Sequence, residues 1–432
     1  MMTSPVIHLF CRKAVIEANF NLYSLFMDKK TIQPGEKLWT QSFISACICN
    51  FLLFFAFYLL LPILPLYLIE EFHTSKSFVG IILSCYTLAA LLIRPFAGFI
   101  LDIFKRKPIY FVAYFLFVLT FVGYPLATMV SMFLFLRIVH GFTFGMVTTA
   151  GNSLIVDIMP ASRRGEGLGY FGVSNNLAMA IGPMISLFMH DFYSYDIIFY
   201  TAIGSGILGF LVVFTIKSDK TYERSIKQPI AFDRFFLLKG SYSGICLLML
   251  GIPYGMLTTY VAIYGKELGI KSGMGVFFSL MAVGLIGSRL FAGKMVDRGK
   301  LIHVISSGTL VCLLGFFMLA GLKTVEAFNV RLMYGLFYLV AIVLGVGYGM
   351  IFPAYNTLFV NLAQNNRRAT ASSTYLTSWD LGVGFGLICG GTLADTHGGL
   401  SLAFLAGAIA ISISFLYFKQ VAGPHFDRNK LR

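Results

Sequence analysis

The sequence predicts an all-α integral membrane protein: twelve transmembrane helices in two six-helix repeats, with the N- and C-termini cytoplasmic. Three observations carry that prediction. Of 432 residues, 57% are hydrophobic and 12% charged, with 44 Phe and a mean hydropathy of +0.80, which is more apolar surface than a soluble domain needs. Apolar stretches of roughly 20 residues, the length that crosses about 30 Å of hydrocarbon, recur along the whole chain. Short charged motifs also recur, at constant spacing between its two halves.

The candidate spans cover residues 41–69, 77–101, 108–128, 131–156, 168–189, 196–216, 238–264, 274–296, 301–322, 330–360, 370–394 and 399–418. With the N-terminus inside, the cytoplasmic segments hold 24 of the 33 basic residues and the outer loops five, the asymmetry expected of short loops that follow the positive-inside rule. The net charge of +14 therefore belongs to a membrane face carrying anionic lipid, and the expected partner is the lipid bilayer, not nucleic acid. The seven cysteines show no spacing for a metal site or a disulfide framework. Residues 1–40 read as a cytoplasmic tail and not as a secretory signal, because "NFNLYSLFM" is short, polar and followed by Lys29 and Lys30. Met27 is an alternative start.

The duplication is visible residue by residue. "RPFAGFILD" (Arg94 to Asp102) and "RLFAGKMVD" (Arg289 to Asp297) share five of nine positions at an offset of 195. At an offset of 204, Gly141 and Gly145 match Gly345 and Gly349, Arg163 and Arg164 match Arg367 and Arg368, and Gly182 matches Gly386. A longer connection around Lys323 to Arg331 is the expected source of the change in offset. The organisation that follows is a tail (1–40), a six-helix half (41–216), a cytoplasmic linker (217–239), a second six-helix half (240–420) and a tail (421–432). Parallel six-helix repeats about an axis along the membrane normal form a site between them near the midplane.

These residues resemble the major facilitator superfamily over about residues 41–420, and within it the twelve-helix drug/proton antiporter type. The family's loop signature between the second and third helices is a Gly, an Asp four residues on, then a basic cluster. Gly98, Asp102, Lys105, Arg106 and Lys107 match it, with Lys105 where a glycine is usual, and Gly293, Asp297 and Arg298 form a degenerate second copy. "RIVHGFTFG" (Arg137 to Gly145) is similar to the family's fourth-helix motif, with His140 where proton-coupled exporters often carry Gln. "GVSNNLAMAIGP" is similar to the fifth-helix antiporter motif, whose core is Gly182 and Pro183, although Ile185 and Ser186 replace the usual small pair.

Charges inside spans are costly and usually face the bundle interior or a water-filled path. Arg137 has Ala341 as its repeat counterpart, so a requirement common to both halves does not explain it. His140 lies one turn along and can titrate near neutral pH. Asp380, in the glycine-rich stretch "YLTSWDLGVGFG", has Asn176 as its counterpart. Arg137, His140 and Asp380 are therefore the candidates for proton coupling, with buried hydrogen bonding as the structural alternative. The resemblance further implies that Asp157 joins Asp102 and Arg106 in a gating charge network, and that the first, fourth, seventh and tenth helices line the cavity. Tyr58, Asn152, Asn176, Tyr254, Tyr260, Tyr355, Asn356 and Trp379 are its candidates, aromatic groups with a few amides that suit an amphipathic small molecule.

The expected activity is secondary active transport, proton-coupled efflux of small amphipathic or drug-like molecules by alternating access, with proton-coupled uptake of a sugar, organic acid or peptide fragment as the alternative. The expected site is the cell membrane, the partners a small-molecule substrate and protons, and the functional unit a monomer. No G-x-x-x-x-G-K-[ST] loop and no H-E-x-x-H constellation occurs, so neither nucleotide drive nor an enzyme is expected, and no cofactor.

Overall fold

The computed structural model describes residues 37–160, 163–217, 236–270, 273–364 and 368–431, and within these ranges it is helical with no strand. The helices are α1 (Gln41–Glu70, interrupted at Leu61 and Pro62), α2 (Lys76–Ile103), α3 (Arg106–Gly123), α4 (Val130–Ile158), α5 (Arg164–Phe192) and α6 (Tyr195–Val213) in the first half. The second half holds α7 (Ser241–Glu267), α8 (Met274–Asp297), α9 (Leu301–Phe328), α10 (Val330–Leu362), α11 (Arg368–Ala394) and α12 (Gly399–Tyr417), followed by the short α13 (Gly423–Asn429). Most of the expected N-terminal tail and linker, residues 1–36 and 218–235, lies outside the described residues.

Eleven of these helices are long and apolar enough to cross a membrane. The expected span at 370–394 is a helix, α11, but it is not among the eleven. Its first half, "RATASSTYLTSWD", is polar, and the helix as a whole packs against α2, α7, α10 and α12.

The duplication is carried into packing. α1 packs on α5 and α6, α2 on α4, and α3 on α4 and α6; α7 packs on α11 and α12, α8 on α10, and α9 on α10 and α12. The pattern is the same six helices later. Two further contacts, α2 with α11 and α5 with α8, join the halves. The shift in repeat offset has a different origin from the loop expected for it: α3 has 18 residues and α9 has 28, α4 has 29 and α10 has 33, so the extra residues are helical and lengthen α9 and α10, leaving only Asn329 between them.

Repeated glycines explain how the bundles close. A Cβ on Gly141 would lie 2.3 Å from the carbonyl oxygen of Tyr86, and one on its counterpart Gly345 would lie 2.1 Å from that of Met281. Gly182 meets the Tyr58 side chain in the same way at 2.8 Å, and Gly386 meets the Ile252 carbonyl at 2.0 Å. Helices in lipid gain no hydrophobic drive from one another, so contact at backbone distance through small residues supplies the attraction. Pro62 breaks α1, whereas Pro253 and Pro353 sit inside unbroken helices, where neighbouring groups can take up the freed carbonyls. Thr357 Oγ1 donates to the Pro353 carbonyl at 2.9 Å.

The first and last described residues lie on one face, here called the terminal face: Leu38 packs near Met159 and Gly167, and the Leu431 amide donates to the Asn361 carbonyl at the end of α10. The opposite, distal face carries the ends of α1, α5, α7 and α11. Gly386→Val should cost roughly 1–3 kcal/mol or more through overpacking against backbone, while Gly98→Val, where no atom lies within 4 Å, should be tolerated. Thermal unfolding of the two purified variants followed by gel-filtration profile checks this; equal behaviour would contradict the packing account.

Candidate functional site

The deepest described bond between the halves is an ion pair. Arg94 on α2 reaches Asp380 on α11, Nη1 to Oδ2, at 2.6 Å, with side-chain exposures of 17% and 29%. Neither side chain is fully enclosed by protein, so the pair is not a sealed core ion pair. Tyr86, one helix over from Arg137 and also on α2, lies within electrostatic range of both members of the pair.

Arg137 and His140 sit elsewhere, inside the first half. Arg137 is 1% exposed, donates to the Tyr124 hydroxyl and the Leu83 carbonyl at 3.4 Å each, and lies 4.6 Å from the centre of the Tyr86 ring. His140 Nδ1 is 2.7 Å from the Tyr124 hydroxyl, and the rings of Phe57, Tyr86, Phe117 and Phe121 surround it. The structure thus separates this pair from Asp380, with Tyr86 between them.

Between the halves lies a small cavity of about 20 Å³, room for roughly one water. Tyr58 on α1, Pro183 on α5, Tyr254 on α7 and Met281 and Leu285 on α8 contribute to its wall. Tyr254 also joins an aromatic cluster, with Tyr348 and Trp379 at 4.9 Å and Phe352 at 5.6 Å. Trp379 therefore places Asp380's neighbour against the cavity wall.

Other expected cavity residues fall away from it. Tyr260 is fully buried and donates to the Leu387 carbonyl at 2.7 Å, filling the space left by Gly80, Gly390 and Gly391; it is a packing residue near the distal end. Tyr355 is also fully buried, with its ring against Phe418. Asn152 and Asn356, matched at the 204 offset, are both exposed near the terminal ends of α4 and α10. Asn176 is half-buried on α5. Of the antiporter motif, Gly182 is a packing contact to α1 and Pro183 lines the cavity.

In the expected charge network, Arg106 binds Asp157 at 2.7 Å and donates to the Ser153 carbonyl at 3.2 Å. The side chains of Asp102 and Asp297 lie outside the described residues. Arg298 is exposed, and neither Gly98 nor Gly293 has an atom within 4 Å of a Cβ position. The α2–α11 contact is thus tight near the distal face, where a Cβ on Gly80 would come 2.3 Å from the Leu387 carbonyl, and open beside Gly98 near the terminal face.

A family profile for the Major Facilitator Superfamily matches residues 46–386 and, in a second stretch, 327–430. The chain belongs to the Major Facilitator Superfamily. Among its relatives, the Staphylopine export protein of Staphylococcus aureus (strain Mu50 / ATCC 700699) is 22% identical over 366 residues, 82% of this chain and 90% of that one. The Quinolone resistance protein NorA of Staphylococcus aureus (strain MSSA476) is 25% identical over 351 residues, 80% and 88% of the two chains. The fold matches the crystal structure of a bacterial homologue of the human lysosomal transporter Spinster, inward-facing and occupied, with a TM-score of 0.72 at 13% identity, covering 92% of this chain and all (100%) of that one. This superfamily member is a multi-pass membrane transporter and not an enzyme.

The superfamily member carries a second functional element that the sequence reading did not single out, a set of bonds across its distal face. Glu70 on α1 pairs with Lys266 on α7 at 2.5 Å and accepts from the Tyr195 hydroxyl, and Lys76 on α2 pairs with Glu267. Two carboxylates cap helices of the opposite half. Asp395 accepts from the backbone N–H of Ser77 at 2.7 Å and of Lys76 at 3.2 Å, at the start of α2; Asp191 accepts from that of Gly273 at 2.8 Å, at the start of α8. An anion at a helix N-terminus meets unpaired donors and a favourable dipole. Asp191 and Asp395 are exact counterparts at the 204 offset, which is the signal that could have found them.

Burial pushes the Asp395 carboxyl up, but hydrogen bonds from Ser77 and the Lys76 backbone, with the Lys76 charge, outweigh it and hold the group below its ordinary value of 3.8. A depressed carboxyl stabilises the bonded form at pH above that ordinary value and loses the contribution as pH falls through the lowered one. Spin labels on His73 and Thr396, one in each half, should report a longer distance across the distal face in Asp395→Ala at neutral pH, and in the unsubstituted protein only on acidification below 3.8. Unchanged distances in the variant would remove Asp395 from the closure.

Proposed function

We propose that this transporter is a proton-coupled exporter of small amphipathic molecules, with Asp380 as the proton carrier. The observation that carries the reading is the Arg94–Asp380 ion pair, since it is charged, not fully enclosed and made between α2 of one half and α11 of the other. Alternating access requires the halves to move against each other, and protonation of Asp380 removes the attraction holding these two helices together. Loss of the proton restores it. Binding of a proton therefore biases the same contact that conformational exchange must break and remake.

Export agrees with the name of one relative and drug resistance with that of the other. In this reading α11 completes a set of twelve spans, residues 41–216 and 240–420 are the two halves, and the terminal face is cytoplasmic because most basic loop residues fall there. The open space beside Gly98 and Gly293 then faces the cytoplasm, while the distal bonds close the outside. Arg106 and Asp157 brace the cytoplasmic ends of α3 and α4. Arg137 and His140, sealed behind aromatic rings, support the proton step by fixing Tyr86 and α2 rather than by carrying the proton.

In everted vesicles, addition of substrate should release protons, and Asp380→Asn should abolish that release while leaving folded protein in the membrane. Transport insensitive to a collapsed proton gradient would defeat the coupling, and substrate accumulation by intact cells would reverse the direction to uptake.

A further inference from the structure

The repeat gives each half an arginine at the same place, Arg94 on α2 and Arg289 on α8, yet only one has a counter-charge. Arg94 meets Asp380 on α11. The equivalent of α11 opposite α8 is α5, and the two are packed together as α2 and α11 are. At the position of Asp380, however, α5 carries Asn176. Arg289 has no ion pair and no hydrogen bond among the described residues; it shares a bare Nε with Arg106 and Arg137, but those two bond through their terminal nitrogens. An uncompensated guanidinium in hydrocarbon surroundings is costly, and such a residue is expected to serve a ligand.

Arg289's surroundings indicate what that ligand looks like. Arg289 lies one helical turn from Leu285 in the cavity wall. It is within electrostatic range of the phenols of Tyr375, Tyr254 and Tyr58, the last two of which line the same cavity. Tyr254 leads on to the rings of Trp379, Tyr348 and Phe352. As it stands the cavity takes about one water; once the halves part, an aromatic wall beside one unneutralised fork of N–H donors suits a planar organic acid, with the carboxylate on Arg289 and the body against the rings. Arg137, also without a carboxylate, differs in being 1% exposed and held by Tyr124, Leu83 and Tyr86. It has no path to a ligand.

We propose that Arg289 is the anion-binding group of the transport site and that the substrates of this protein are amphipathic organic anions, whose charge takes the place of the carboxylate absent from Asn176. The inference rests on reading the central cavity as the transport site.

Calorimetric titration of the purified full-length protein tests it with three probes of one shape: 1-naphthoate, 1-naphthamide and 1-naphthylmethylammonium. A hydrogen-bonded charge contact predicts that naphthoate binds roughly tenfold to a hundredfold more tightly than the amide. Arg289→Gln should abolish that preference. Asn176→Asp should abolish it too, by supplying the missing carboxylate from within the protein, and it should leave thermal stability equal or higher, which separates loss of binding from misfolding. Undetectable naphthoate binding, tighter binding of the amide or ammonium, or a preference untouched by both variants would overturn the proposal. Charge-selective binding that tracks Arg289, with no proton release in vesicles, would defeat the export reading and leave this one standing; proton release with charge-blind binding would do the reverse.

Discussion

A charge carried into the thickness of a bilayer needs a counter-charge, a cradle of donors and acceptors, or water, and three arginines meet that constraint in three ways. Arg94 finds a carboxylate on the opposite half. Arg137 is held inside its own half by a hydroxyl, a carbonyl and a ring face, with only its Nε unbonded. Arg289 is left facing the region between the halves with neither. The difference in solution is one of place: Arg137 is held within one bundle and Arg94 joins two, while Arg289 is the one proposed to meet a ligand.

That joint is organised along its length. At the distal face, carboxylates of one half cap helices of the other, and ion pairs link α1 and α2 to α7. Further along, α2 and α11 approach at backbone distance around Gly80 and are then held by Arg94 and Asp380. Past that pair, Gly98 has open space around it. The ion pair thus sits where closed packing gives way to an opening. Within each bundle the repeated glycines make α2–α4 and α8–α10 contacts too close for a side chain.

Much of the candidate site was legible residue by residue but not as pairs. Asp380 stood out as an acid in an apolar, glycine-rich stretch, and Arg94 as half of a repeated motif; nothing local linked them, because they lie on helices of different halves and no spacing rule spans that distance. Tyr260 and Tyr355 were nominated as cavity groups because a tyrosine on a lining helix has the right chemistry. Which way it points depends on helix rotation, and both proved to be buried in packing. The distal carboxylates were missed because Asp191 and Asp395 lie at helix ends, where an acid reads as solvated.

Composition and repetition alone determined that this is a duplicated helical membrane protein, since apolar length and matched motifs need no knowledge of neighbours. They also determined the charge asymmetry between halves, aspartate against asparagine. Tertiary structure decided what each embedded charge meets, that α11 packs on α2, α7, α10 and α12, and that the extra residues of the second half lengthen α9 and α10. The physical reason is common to all three: the cost of a polar group in a membrane is set by what stands opposite it, and that is a property of packed helices rather than of any one of them.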